Sequence, residues 1–203
     1  MLRIGKYGNG IVWEWDCLGY TVQMKHVKNK VLEPTLIPAS LTDYPCVQNM
    51  ARFYVYDLSR YCGDILGWEC PADGLYECID FKDYFEKPDH YAFLIKIEEE
   101  LAGFVLINKI GLVNTVDWNM GELFVLAKFQ RHGIAKTIVQ QIFATYPGRW
   151  EIGVILKNTR GQDFWRNILK PYANVTETIV LVEERKMENK YSSVIFSVDI
   201  EEI

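Results

Sequence analysis

The chain has 203 residues, of which 49% are hydrophobic and 24% charged, and its formal net charge is -5. This is the make-up of an ordinary folded domain rather than a disordered or repetitive chain. The negative balance argues against general nucleic-acid binding, and no apolar run approaches the roughly 20 residues that a membrane span needs.

The first segment, Met1 to Tyr7, lacks the apolar stretch of a secretion signal. A reducing cytoplasm is therefore the expected compartment, and buried free thiols are preferred over a Cys70–Cys78 disulfide. With three His and no Cys-x-x-Cys pair, no zinc site is expected. Residues 1–30 read as an extension: Ile11 to Trp15 and Tyr20 to Met24 alternate like strands, with Asp16 to Gly19 as the turn of a β-hairpin packed on the main domain.

Residues 31–203 read as one further domain. Val31 to Ala39 is a strand broken by Pro34 and Pro38, hence an edge. Ser40, Thr42 and Asp43 offer caps for a helix over 43–61, with Val47, Met50, Ala51, Tyr54, Leu58 and Tyr61 on its apolar face and Pro45 in its first turn. Most of its aromatics should pack in the core. Tyr54 and Tyr56 are the candidates for a substrate wall.

Residues 62–90 are irregular, with a turn at Pro71 to Gly74 and a short helix from Asp80 to Glu86. Tyr91 to Ile97 and Leu101 to Asn108 form a hairpin. Gly103 implies a close backbone approach, and Gly121 marks a bulge in the next strand, Val116 to Ala127.

From Glu122 to Phe143 the period changes from strand to helix. Leu123 to Leu126 is apolar and extended; Lys128 to Gly133 is a basic turn; Ile134, Ile138, Ile142 and Phe143 recur at helical spacing. The first N–H groups of a helix lack internal partners and carry the positive end of its dipole. With Gly133 and Ala135 leaving room, and Arg131 and Lys136 adding charge, this start suits a phosphate or pyrophosphate. The Walker loop and the three-glycine dinucleotide fingerprint are both absent. Later come a strand from Trp150 to Leu156, a helix capped by Asn158 and ended by Pro171, and strands Glu177 to Glu183 and Tyr191 to Val198 joined through Arg185 to Lys190.

The run Gln130-Arg131-His132-Gly133-Ile134-Ala135 resembles the Gln/Arg-x-x-Gly-x-Gly/Ala signature of the GCN5-related N-acetyltransferases, the GNAT superfamily, and the stretch Glu122-Leu123-Phe124-Val125 with Phe164-Trp165-Arg166 is similar to a bacterial subgroup of predicted acetyltransferases. Asn158 to Trp165 resembles the family's Asn-x-x-Ala-x-x-x-Tyr, with Gly161 for Ala and Trp165 for Tyr. The element order from residue 31 is also the family's.

The resemblance implies an α/β (α+β) GNAT fold. Its central mixed, mostly antiparallel sheet would be splayed at the acetyl-CoA site, with helices on both faces. It implies acetyl-CoA as cosubstrate, no metal, and transfer to a small-molecule or peptide amine; a homodimer is compatible with it. Leu123, Phe124 and Val125 would align the pantetheine and offer N–H groups to the oxyanion. Arg131, His132, Gly133, Ile134, Ala135 and Lys136 would hold the pyrophosphate, and Asn158 the cofactor arm.

An attacking amine must be neutral, whereas a free alkylamine has a pKa of about 10, so a base is useful. Glu122 is the candidate, with Asp117 and Asn119 as runners-up on the same strand. Indole has no usable acidity, so the family's thiolate-protonating role does not carry over to Trp165. A non-catalytic acyl-CoA-binding or partner-binding module is the alternative. His132 reads as a solvent-facing turn residue, His26 and His90 have no catalytic partner in sequence, and Asp57, Asp64, Asp73, Asp80 and Asp83 read as surface charge before they read as an amine site.

Overall fold

The computed structural model describes residues 2–7, 10–17, 20–21, 32–63, 69–184 and 189–201, with side chains from residue 32 on except at 183, 184 and 189. The expected strand residues Val22 to Met24 and Val31, the link Arg185 to Glu188, and His26 and Asp64 lie outside the described residues. Two compact units emerge, residues 1–32 and 33–203.

In the first unit, β1 (Leu2–Tyr7) pairs antiparallel with β2 (Gly10–Cys17), which pairs in turn with β3 (Tyr20–Thr21). The long hairpin is therefore formed with residues 2–7. Gly5 and Lys6 interrupt the apolar alternation of these residues, so their strand carries little signal in the sequence.

The second unit is built on a seven-stranded sheet: β4 (Pro34–Pro38), β5 (His90–Ile97), β6 (Glu100–Asn108), β7 (Trp118–Val125), β8 (Gly148–Ile155), β9 (Thr176–Glu184) and β10 (Asn189–Ile200), in the order β4-β5-β6-β7-β8-β10-β9. All neighbours are antiparallel except β7 and β8. Proline-bounded β4 lies at an edge, where a missing N–H costs no ladder bond. Among the described residues four α-helices accompany the sheet: α1 (Tyr44–Cys62), α2 (Asp83–Glu86), α3 (Ile134–Thr145) and α4 (Thr159–Leu169).

Register assigns the faces. Phe104 and Leu106 of β6 stand opposite Phe124 and Glu122 of β7, and Val47, Met50 and Ala51 of α1 pack on that apolar cluster. This face is the α1 face. On the other, Phe143 of α3 meets Trp150, and Arg166 of α4 lies over Phe196, which stands opposite Ile152. Both expected glycine devices are present. A Cβ on Gly103 would lie 2.0 Å from the Phe124 carbonyl oxygen, and Gly121 is the extra residue where the β6–β7 register shifts.

Substituting Ala at Gly103 is therefore expected to force β6 and β7 apart. We expect it to destabilise the fold by about 1–3 kcal/mol, the usual cost of overpacking, in a urea titration. An unchanged midpoint would contradict the close approach.

Candidate functional site

β7 and β8 pair only over Trp118–Met120 and Trp150–Ile152. Beyond that point β7 stays with β6 and β8 with β10, so the sheet opens into a V. Leu126 donates its N–H to Ala102 of β6. Alternation along β7 therefore turns the main-chain groups of Leu123 and Val125 away from β6, into the gap. Gln130 Nε2 occupies the Val125 carbonyl at 2.9 Å, which leaves the Leu123 N–H and C=O and the Val125 N–H facing the opening. A cleft of about 600 Å³ occupies the V.

At its open end stands the basic turn. Arg131 and Gly133 both adopt left-handed backbone conformations, with φ of 65° and 79°. Gly133 N-caps α3, and among the described residues no side chain bonds the helix's first amides. The strain at Arg131, of order 1–2 kcal/mol, bends the chain so that Gly133, Ile134, Ala135 and Lys136 line the cleft. Arg60, Arg131, Lys136 and Arg160 also line it, four cations from three helices and the turn. An uncapped helix start amid such charge suits an anion with several oxygens.

Asn158 is positioned by its own helix. Its Oδ1 accepts the Gly161 N–H at 2.9 Å, which caps α4, and its residue borders the cleft. A Cβ on residue 161 would come within 2.7 Å of Asn158 Nδ2, so glycine here gives the amide its place. Trp165 lines the cleft too, its ring against Phe164.

Glu122 lies on the α1 face, just past the bulge, and borders the cleft. Tyr54 of α1 donates its hydroxyl to the Glu122 carboxylate, while its ring packs on Phe104 and Phe124. Burial of the hydroxyl, and then the Glu122 charge, hold Tyr54 well above its ordinary pKa. Tyr84 stands over Gly121, its hydroxyl accepting from Asn108 Nδ2 at 2.8 Å. It too is raised, first by burial and then by Glu122. Two neutral tyrosine hydroxyls thus neighbour one carboxylate.

Of the candidate residues, Tyr54, Glu122, Leu123, Phe124, Val125, Arg131, Gly133, Ile134, Ala135, Lys136 and Asn158 all border the cleft. His132 does not: it is exposed, with Nδ1 2.8 Å from the Gln130 carbonyl. Tyr56 is turned away. Two residues along a helix lie on nearly opposite sides, and Tyr56 stands exposed against Tyr76. Asp117 precedes β7 and accepts the Arg149 N–H, while Asn119 is buried beside Asn108.

Asp57 borders the cleft, but Asp73, Asp80 and Asp83 are engaged elsewhere, with Leu75, Tyr44 and Lys87. Cys46, Cys62, Cys70 and Cys78 are free thiols; Cys62 is buried, whereas Cys70 is exposed. Leu58, Arg60, Tyr61 and Phe164 are wall residues that the sequence reading did not place. Tyr54, Leu58 and Tyr61 continue the apolar stripe of α1 and border the cleft, while Cys62 in the last turn stays buried.

Gly133 gives a direct test. A Cβ there meets no heavy atom within 4 Å, but Val must hold a φ of 79°, which costs a branched residue about 1–2 kcal/mol and displaces the turn. If the turn holds the pyrophosphate that the family resemblance implies, replacing Gly133 by Val should weaken CoA binding about tenfold by calorimetry while the far-ultraviolet circular dichroism of the apo chain is retained. Unchanged affinity would mean that the phosphates bind elsewhere.

Comparison with known proteins bears on this site. The model of the acetyltransferase (GNAT) family matches residues 55–169, which carry β5 to α4 and the V. No curated protein sequence gives a significant match. The ribosomal-protein-S18-alanine N-acetyltransferase of Escherichia coli superposes with a TM-score of 0.55 at 12% identity, over 84% of this chain and 96% of its own. An N-acetyltransferase of Staphylococcus aureus Mu50 gives 0.56 at 11% identity, over 83% and 99%. The spermidine/spermine N-acetyltransferase SpeG of Vibrio cholerae gives 0.52 at 10%, over 82% and 92%. At these identities the likeness is one of fold. Among the described residues, no helix is long and apolar enough to cross a membrane, and no group of three His, Cys, Asp or Glu is disposed to hold a metal.

Proposed function

The chain belongs to the acetyltransferase (GNAT) family, and from that footing we propose that it transfers the acetyl group of acetyl-CoA to a primary amine by direct attack on the thioester. The observation that carries this reading is the V between β7 and β8, with an uncapped, cation-flanked helix start at one end and a carboxylate at the other. In it the turn amides and Arg131 and Lys136 hold the pyrophosphate. The free main-chain groups of Leu123 and Val125 align the pantetheine as an added strand. The Leu123 N–H is the oxyanion donor. Asn158 keeps its oxygen for the cap and offers Nδ2 to the cofactor arm.

Glu122 receives the proton that the amine must lose, directly or through water. The nitrogen forms its bond to the carbonyl carbon, the carbon–sulfur bond breaks, and the thiolate takes its proton from water or the substrate, since the indole N–H of Trp165 has no usable acidity. The Tyr54 hydroxyl holds the carboxylate toward the cleft. Residues 1–30 we assign to an N-terminal extension, and the compartment of action is the cytoplasm.

A binding module without turnover is the reading that Trp165 favours. Both readings require acetyl-CoA to bind. At about 100 times its dissociation constant the ligand should add about 2.7 kcal/mol of stability, read as a rise in the melting midpoint. No shift with saturating acetyl-CoA or CoA would contradict both, whereas a shift without amine-dependent CoA release would favour the module.

A further inference from the structure

The loop joining β6 to β7, residues 109–117, carries three large apolar side chains to solvent: Ile110 is 57% exposed, Leu112 49% and Val113 45%. Such a cluster in an otherwise regular domain calls for a purpose. The loop is not slack. Glu151 of β8, wholly buried, accepts the N–H groups of Leu112 at 2.6 Å, Val113 at 3.0 Å and Asn114 at 2.9 Å, and the Asn114 side chain at 2.8 Å. Asn108 Oδ1 fixes the Ile110 N–H at 2.8 Å.

The loop is also aimed. Glu151 and Gly153 lie two residues apart on β8 and so share a face, which register makes the face of Asn119 and hence of Asn108, Leu106 and Glu122. Gly153 borders the cleft, and the Leu112 Cδ1 lies 3.0 Å from where its Cβ would be. Across the opening, on that same face, stands Glu122. Leu112, in this fixed loop, and the Glu122 carboxylate therefore stand on one face of the sheet, on either side of the β7–β8 opening.

We propose that this loop tip is the second contact of the acceptor, so that the substrate is a primary amine carried on an apolar body, an alkylamine or aralkylamine rather than a polyamine. The inference rests on the acetyl-transfer reading above. Glu122 faces the ammonium before it loses its proton, and Leu112 and Val113 cover the carbon chain. Because Glu151 fixes the loop beforehand, little ordering cost opposes that contact. A second ammonium on a polyamine would instead be stripped of water against leucine and valine, which is unfavourable.

The test uses the full chain with acetyl-CoA and ethylamine, butylamine, hexylamine, 2-phenylethylamine or spermidine, measuring kcat/KM by CoA release. We expect about a fourfold gain for each methylene that reaches the loop, with spermidine below hexylamine. Leu112→Ser, and separately Val113→Ser, should bring the hexylamine-to-ethylamine ratio down toward one, and each keeps the backbone N–H that Glu151 holds. A ratio near one in the wild type, a preference for spermidine, or a ratio unmoved by both variants would overturn the inference while leaving acetyl transfer intact. CoA release with none of the amines would overturn the transfer reading, and the inference with it.

Discussion

Glu122→Gln is expected to lower kcat for acetyl transfer by roughly 10²–10⁴-fold, the span usual for a lost general base, and to leave acetyl-CoA affinity within about twofold of wild type. The amide keeps the size of the carboxylate and can still accept from the Tyr54 hydroxyl, so packing on Phe104 and Phe124 survives. What disappears is the capacity to hold a proton. The loss should fall on kcat rather than on the cofactor's binding, because the turn at Arg131 to Lys136, where the proposal seats the pyrophosphate, follows the end of β7 and does not include Glu122. Stopped-flow single turnovers with pre-bound acetyl-CoA would separate the two. A wild-type single-turnover rate in the variant would make Glu122 structural and pass proton handling to water.

The second large effect is on stability. Glu151→Ala should cost about 3–5 kcal/mol, since it leaves three backbone donors and the Asn114 amide without their buried acceptor. Burial alone would raise the Glu151 pKa, but the hydrogen bonds from Val113, Leu112 and Asn114 outweigh it and hold the carboxyl below its ordinary 4.5. The sign follows directly. A lowered folded-state value contributes stability that is fully present above 4.5 and is lost as the pH falls through the folded value. Urea midpoints measured from pH 7 downward should therefore decline in the wild type below about pH 4.5 more steeply than in Glu151→Gln, which has no such group to titrate. Parallel curves would mean that Glu151 does not carry this acid sensitivity.

Much of this site was legible because it is local. The strand, the basic turn and helix α3 follow one another without a break, and Ile134, Ile138, Ile142 and Phe143, read as one apolar stripe, are all buried. Gly121 and Gly103 announced a bulge and a close approach because a missing side chain within a strand has few other physical reasons. The cap at Asn158 was equally local, three residues from its donor.

What escaped was long-range. Glu151 read as one more strand residue, and nothing in its neighbours announces donors 37 to 39 positions earlier. Nor does periodicity separate Tyr54, whose hydroxyl reaches Glu122, from the wall residues Leu58 and Tyr61, because one helical stripe runs from the core into the cleft. Tyr56 follows Tyr54 by two residues, so helical phase alone turns it to another side of α1, against Tyr76. Gly161, a departure from the family's alanine, took on meaning only when the crowding by Asn158 was seen.

The most direct measurement is product balance. The full chain, acetyl-CoA and hexylamine are incubated, and N-acetylhexylamine is quantified by mass spectrometry beside free CoA thiol. The account predicts equal amounts of the two, dependent on the protein and suppressed in Glu122→Gln. Acetyl-CoA that binds yet remains intact, or CoA released without acetylated amine, would contradict it.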